Sequence, residues 1–194
     1  MAERPGGRTA RVRASVLRAA GDALAERGFA HLDLADLARR AEVGKTTVYR
    51  RWGTVTAVVT DLLAEMAVES TPRADTGSLL GDLRANARLV VRTLTDPRQG
   101  PLFKAVLAAS TWDGETARAL TRFYATRIAE WAPCVTDAVT RGEVPAGVDA
   151  EEVVRAVSAP LYYRLLTGTG TLDEAAADRA AEAATVAAKA GVFS

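Results

Sequence analysis

The stretch that decides the fold runs from Phe29 to Trp52 and reads FAHLDLADLARRAEVGKTTVYRRW. Four apolar residues in its first half recur at helical spacing, so one face of a short helix points toward a core. They are Leu34, Leu37, Ala38 and Ala41. Asp33 stands just ahead of them, where its carboxylate can accept hydrogen bonds from the free N–H groups of a helix start. The pattern predicts a short helix that begins after Asp33.

A second helix is predicted to begin near Lys45, after a turn of only a few residues. Val48 and Trp52 lie four positions apart and share the buried face of this helix. Its outer face and flanks carry Lys45, Thr46, Thr47, Tyr49, Arg50 and Arg51. Two short amphipathic helices joined by so tight a turn predict a helix-turn-helix.

The side chains of this outer face suit DNA. Arginine can make a bidentate contact with guanine, and threonine can bond a base edge or pack its methyl group on thymine. Lysine and tyrosine can bond phosphate oxygens. We therefore predict that the second helix lies in a DNA groove, although the spacing alone also fits an ordinary helical hairpin with a solvated basic face.

The charge of the chain is divided between its two parts. Up to Gly53 there are eleven Lys and Arg residues against six Asp and Glu, whereas the remainder has fourteen against eighteen. The formal net charge of +1 therefore hides a basic N-terminal head and an acidic body. Such an asymmetry is expected when one end of a protein docks on phosphate and the rest does something else.

The segment from about Arg11 to Leu62 resembles the DNA-binding head of the TetR family of bacterial transcriptional regulators. Its members share an apolar first helix, a second helix similar to LADLARRAEV, and a recognition helix with a T-x-Y-R core followed by an aromatic residue. Here that core reads TVYRRW. The resemblance implies a three-helix DNA-binding head that acts in sequence-specific transcription regulation.

Three positions depart from the family pattern. Glu42 replaces the glycine that usually occupies the turn, and Gly44 stands where a capping serine is common. Val55 replaces a lysine that often opens the next helix and contacts phosphate. We expect that contact to fall to backbone N–H groups and to Thr54 or Thr56.

The rest of the head consists of an arm and one long helix. The first ten or so residues read as a mobile basic arm, which either reaches the DNA or has no role. The first helix is predicted from about Thr9 to Arg27, with Arg8 and Arg11 at its start on the DNA side and Gly28 as a left-handed C-cap.

The remainder of the chain is predicted to be helical, because sustained strand-type alternation is missing from its sequence. Pro133 should kink or split a long helix, Asp149 should cap the next, and a last helix should run from Asp173 to about Lys189. The predicted fold is all-α. A helix-turn-helix head with a basic arm spans residues 1–53, and a connecting helix over residues 54–70 acts as a lever arm. A bundle of five to six helices over residues 71–194 serves effector binding and dimerisation.

Alanine dominates the last helix, which indicates close approach to another helix or simply the alanine enrichment of the whole chain. The sequence RGEVPAGVD followed by APLYYRLL resembles a ligand-binding C-terminal domain of part of the TetR family. That resemblance implies a homodimer joined through the last two helices of each subunit. Such a dimer would read palindromic half-sites about 34 to 36 Å apart, or a multiple of that distance.

Most aromatic residues outside the head fall in the second half of the chain. Helical bundles hold small molecules in apolar cavities lined by aromatics, and the resemblance implies an effector site, for a small apolar or aromatic molecule. The candidate pocket residues are Phe103, Trp112, Phe123, Arg127, Trp131 and Tyr162, of which Arg127 and Tyr162 would supply the polar contacts. Ordinary core packing also explains each of the aromatics.

Other classes of function find little support in the sequence. No apolar run approaches the roughly 20 residues that cross a bilayer, and the first residues lack an apolar secretion segment, so we expect a cytoplasmic protein with no membrane partner. A single cysteine, Cys134, and a single histidine, His31, supply neither a metal site nor a convincing catalytic pair. We expect no enzymatic activity, no metal and no cofactor.

These observations together predict a homodimeric, ligand-responsive transcriptional repressor that binds a double-stranded DNA operator. The alternatives are a DNA-binding regulator without a small effector, an activator, or a helical protein that sequesters a small molecule.

Overall fold

The computed structural model describes residues 6–70 and 72–194, and every regular element in these ranges is a helix. The predicted all-α fold is confirmed, whereas the first five residues of the predicted basic arm lie outside the described ranges. The head contains α1 (Gly6–Arg27), a short 3-10 helix (Phe29–His31), α2 (Leu34–Arg40) and α3 (Lys45–Trp52). The helices that follow are α4 (Val55–Glu69), α5 (Leu79–Thr95), α6 (Gln99–Ser110), α7 (Gly114–Trp131), α8 (Pro133–Thr140), α9 (Ala150–Thr167) and α10 (Glu174–Lys189).

The chain forms two compact units, each of which combines two separate stretches of the sequence. The first unit comprises Met1–Glu69 and Pro97–Phe123, and the second comprises Ser70–Asp96 and Tyr124–Ser194. Helix α6 thus belongs to the same unit as the three helices of the head, and α7 begins in the first unit and ends in the second. The assignment of separate functions to residues 1–53, 54–70 and 71–194 stays a prediction.

In the first unit, α6 packs closely on α1 at a glycine. A Cβ atom added to Gly21 would lie 2.7 Å from Arg98 Nη2, so this position has no room for a side chain unless Arg98 moves. The Arg98 guanidinium donates to the Asp22 carboxylate over 2.5 Å and to the Arg18 carbonyl over 3.0 Å. Arg98 directly precedes α6, so these contacts hold the start of α6 against α1.

The second unit is built around α5, α9 and α10, which pack against one another. Helix α10 turns a face of small residues inward, and Arg88 and Arg84 of α5 pair with Asp178 at 2.8 Å and Glu182 at 2.5 Å on α10. The buried alanines of α10 are Ala176, Ala177, Ala180, Ala181, Ala184 and Ala188. Because alanine has only a methyl side chain, these positions let α10 lie close to its neighbours.

Several predicted helix ends are confirmed. Asp33 accepts from Asp36 N, Asp149 from Glu151 N and Glu152 N, and Asp173 from Ala176 N. Pro133 splits the long helix, because α7 ends at Trp131 and α8 begins at Pro133. A proline is well tolerated at the first position of a helix, where no intrahelical donor is needed.

Two details of the first helix differ from the prediction. Helix α1 begins at Gly6 rather than at about Thr9, although Gly6 and Gly7 are poor helix formers. Gly28 has a positive φ of 73° as expected, but its ψ of 174° is extended and not left-handed helical. The chain turns there directly into the 3-10 helix, and this backbone region is open almost only to glycine.

Glu42 adopts a backbone conformation that favours glycine. Its φ is 55°, and it is the single non-glycine residue with a positive φ among those the structure describes. Glu42 N donates to Arg39 O and Val43 N donates to Ala38 O, which is the bonding of a Schellman motif at the end of α2. The same two bonds recur after α8, where Gly142 takes the position of Glu42 with a φ of 75°.

We expect Glu42→Gly to raise the free energy of unfolding by about 1 kcal/mol, because glycine enters this region without the steric penalty of a Cβ atom. Gly142→Ala is the matched control and should lower it by a similar amount, about 1 kcal/mol. Urea unfolding monitored by circular dichroism measures both changes. A loss of stability in Glu42→Gly would contradict the conformational assignment.

Candidate nucleic-acid interface

Helix α3 is held to the head by its inner face. Val48 is fully buried, as the spacing predicted, whereas Trp52 is only half-buried. The Trp52 indole Nε1 donates to Asp61 Oδ2 of α4 over 3.0 Å. Burial of one side chain and a hydrogen bond from another therefore decide which face of α3 points outward.

The outward face carries the predicted DNA-contacting residues. Lys45, Thr46, Tyr49, Arg50 and Arg51 are exposed, and Thr47 is half-buried. Two contacts restrain these long side chains: Lys45 Nζ lies 5.5 Å from the centre of the Tyr49 ring, and Arg51 Cζ lies 5.0 Å from that of Trp52.

Arg50 differs from its neighbours in its contacts. Its guanidinium makes no hydrogen bond or ion pair with any residue in ranges 6–70 and 72–194. The group therefore keeps its planar set of N–H donors available to an external acceptor.

Other arginines of the head are engaged within the protein. Asp36 of α2 accepts from Arg27, Arg39 and Arg40, the last over 3.0 Å, and Arg40 also pairs with Glu26 of α1 at 2.8 Å. The hydrogen bond from Arg27, supported by those from Arg39 and Arg40, lowers the pKa of Asp36 to about 2. These ion pairs tie α1 to α2, and they show that several of the eleven basic side chains of the head are held by carboxylates within the protein.

A second polar cluster joins α1, α3 and α4. Arg13 Nε lies 3.1 Å from each carboxylate oxygen of Asp61, and Arg13 Nη2 donates to Asp61 Oδ1 over 2.7 Å. Arg13 Nη1 donates to Glu65 over 2.6 Å. Burial raises the pKa of Asp61, but the hydrogen bonds from Arg13 and Trp52 outweigh it and hold that pKa below its ordinary value.

Sequence reasoning missed this cluster. Asp61 and Glu65 are four positions apart on one helix and so share a face, which was a usable signal. Their partner Arg13 is 48 residues before Asp61, and no local pattern connects the two.

The structure places the remaining predicted DNA contacts at helix starts. Arg8 and Arg11 are exposed near the start of α1. Thr54 is exposed and caps α4, since its Oγ1 accepts from Ala57 N over 3.1 Å. The Thr56 hydroxyl donates to Asp113 Oδ2 over 3.2 Å, so it cannot donate to a phosphate while that bond persists.

The predicted effector residues fall in both units. In the first unit the rings of Phe103 and Phe123 lie 5.4 Å apart, whereas Trp112 is 66 % exposed and packs edge-on against Phe29 at 5.5 Å. Their membership of a pocket stays a prediction.

In the second unit, Trp131 is buried and the rings of Tyr124 and Tyr162 meet edge-on at 5.4 Å. Burial raises the pKa of Tyr162 and lowers that of Arg127, and the nearby Arg127 charge partly opposes the rise at Tyr162. Arg127 and Tyr162, the two polar residues of the predicted pocket, are therefore close enough for the Arg127 charge to affect the Tyr162 hydroxyl.

Comparison with known proteins identifies the family. The family described as "Bacterial regulatory proteins, tetR family" matches residues 16–61, and "Tetracyclin repressor-like, C-terminal domain" matches residues 73–184. The chain belongs to the TetR family of transcriptional regulators. It is therefore a DNA-binding transcriptional regulator with a helix-turn-helix, as its sequence predicted.

Individual TetR-family proteins are similar along most of the chain. The HTH-type regulator YdeS of Bacillus subtilis is 32 % identical over 153 residues, which cover 78 % of this chain and 77 % of YdeS. The regulator AqdR of Rhodococcus erythropolis is 30 % identical over 165 residues, covering 84 % and 78 %. The crystal structure of the TetR family regulator SCO0332 is similar with a TM-score of 0.73 and 28 % identity, covering 90 % of this chain and 97 % of that one.

Within residues 6–70 and 72–194, no helix of this TetR-family chain is both long enough and apolar enough to span a bilayer.

Proposed function

We propose that the protein is a ligand-responsive repressor that binds a palindromic operator as a homodimer, with α3 of each subunit in the major groove. The observation that carries this proposal is the outward face of α3. It presents Arg50, which has no partner among the residues that the structure describes, beside exposed Lys45 and Thr46, on a helix that Val48 and Trp52 hold in place. A rigid helix with free donors on one face is what direct readout of base edges requires.

The proposed dimer would form through α9 and α10. These helices pack against each other, and α9 exposes Tyr163 at 62 % and Leu166 at 59 %, three positions apart on one face. Val186 of α10 is also exposed. Large apolar side chains clustered on one surface mark interaction sites, and a four-helix bundle with a second copy would bury them.

The proposed effector would bind among the aromatic residues of the second unit, and α4 would carry its effect to α3. Helix α4 packs against both α1 and α3, so a shift of α4 would move the recognition helix. An effector relieves repression only as far as it binds the DNA-incompetent state more tightly than the DNA-bound one. The half-buried side chains of Tyr162 and Arg127 would give the site its polar contacts.

We expect Arg50→Ala to weaken binding to the operator by roughly 1 to 3 kcal/mol and to leave binding to random DNA nearly unchanged, because a base contact carries sequence information. Arg11→Ala is the control and should weaken both equally, since a phosphate contact does not distinguish sequences. The operator is first obtained by selection from random duplexes with the wild-type protein, and fluorescence anisotropy then gives the affinities. Equal losses on both DNAs for Arg50→Ala would exclude base reading.

Light scattering should give a mass about twice the 20.5 kDa of one chain. Leu166→Glu should shift the protein toward the monomer and weaken operator binding, because a charge cannot be buried unpaired in the bundle. Val68→Glu, at an α4 valine that is 80 % exposed, is the matched control and should remain dimeric. A wild-type mass near one chain would rule out the dimer.

A mobility shift with the operator duplex, screened against a library of small aromatic compounds, should reveal compounds that release the DNA. Arg127→Gln should then weaken release without changing operator affinity, since it removes a contact to the effector and none to the DNA. If no compound of the library releases the duplex, the protein is a regulator without such an effector.

A further inference from the structure

Asp61 occupies a position between the DNA-contacting helix and the rest of the head. Its carboxylate accepts two kinds of bond: Arg13 of α1 bonds both of its oxygens, and Trp52 of α3 donates its indole N–H to Oδ2 at 3.0 Å. Arg13 and Trp52 thus come from α1 and α3, and α4 packs against both of these helices. Both contacts are partly buried, which restricts competition from water.

The contact continues from Trp52 to the DNA-facing surface. The guanidinium carbon of Arg51 lies 5.0 Å from the centre of the Trp52 ring, and Arg51 itself is exposed. The orientation of the indole therefore restricts where the Arg51 charge lies. Arg51 is also near enough to Asp61 for its charge to lower the pKa of that carboxyl.

Glu65 provides an internal comparison, because it lies one helical turn further along α4 and carries the same charge. Its carboxylate bonds Arg13 Nη1 at 2.6 Å, and its only bonding partner among the described residues is Arg13. Asp61 and Glu65 therefore share Arg13 as a partner, but the Trp52 indole donates its hydrogen bond to Asp61 and not to Glu65.

We propose that Asp61 is a positioning residue that sets the DNA specificity of this regulator, by fixing Trp52 and through it Arg51 at the end of α3. The inference rests on the proposed reading of base edges by α3. The carboxylate has a second effect, since it shares Arg13 with Glu65 and adds a negative charge that limits sequence-independent attraction to phosphate. Both effects raise the DNA specificity. A well-placed Arg51 strengthens binding to the operator, and the lower positive charge around Arg13 weakens binding to every other duplex.

Removing the carboxylate should therefore affect operator and random DNA in opposite directions. Asp61→Asn deprives Trp52 of its charged acceptor and leaves Arg13 with less counter-charge. Contacts that depend on the orientation of α3 become weaker, while the attraction of any duplex becomes stronger. A residue with a merely structural role would instead lower both affinities together with the melting temperature.

The experiment compares Asp61→Asn, Glu65→Gln and Trp52→Phe on two DNAs: the duplex selected by the wild-type protein and a scrambled duplex of equal length. Asp61→Asn should bind the scrambled duplex about threefold more tightly and lose about tenfold in the ratio of selected to scrambled affinity. Glu65→Gln should strengthen both complexes by the same factor and keep the ratio. Trp52→Phe removes the indole hydrogen bond to Asp61. It should lower the ratio of selected to scrambled affinity several-fold, roughly the effect of one lost hydrogen bond, and leave the affinity for the scrambled duplex unchanged.

The following outcomes would overturn the assignment. Equal changes of the ratio in Asp61→Asn and Glu65→Gln would show that charge alone matters, and an unchanged ratio in Trp52→Phe would show that the indole bond does not orient the helix. Thermal unfolding checks each variant, and if Asp61→Asn does not fold, Trp52→Phe alone decides, because it changes no charge. If the wild-type protein selects no preferred duplex, the proposed base reading and this inference are both overturned. If it does select one, and Asp61→Asn and Trp52→Phe both keep the wild-type preference for it, only the inference is overturned.

Discussion

An eight-residue helix is too short to persist in water by itself, and α3 is a helix of that length. Its stability and its orientation must therefore come from tertiary contacts. The buried Val48 supplies the apolar part, and the bond from Trp52 to Asp61 supplies the directional part. Because Asp61 is itself held by Arg13, α3 is connected to α1 and α4 through one carboxylate. The outward face of α3 depends on this arrangement.

The arginines of the head have two distinct roles. Arg27 and Arg40 converge on Asp36 and tie α1 to α2, while Arg13 joins α1 to α4. Arg50 makes no such contact with the described residues and Arg51 lies against an aromatic ring, so both keep their charge at the surface. The same residue type thus holds the scaffold together and, in the proposed function, meets the DNA. What separates the two roles is the presence of a carboxylate within reach.

Much of the fold followed from local patterns. The helix starts at Asp33, Asp149 and Asp173 were predictable because capping depends on residues that are adjacent in the chain. The outward residues of α3 followed from the helical period. Other features were not predictable, because they depend on partners far away in sequence: the bonds of Arg13 to Asp61 and of Thr56 to Asp113, and the close packing of α6 on Gly21. The grouping of α6 with the head arises from such contacts.

The sequence by itself determined the all-helical fold, the helix-turn-helix and the side chains that its second helix exposes, because periodicity and capping act over a few residues. Only the tertiary structure decided which charges remain available to DNA. Ion pairing depends on distance in space, and residues 48 or 57 positions apart, such as Arg13 and Asp61 or Thr56 and Asp113, meet only after the helices have packed.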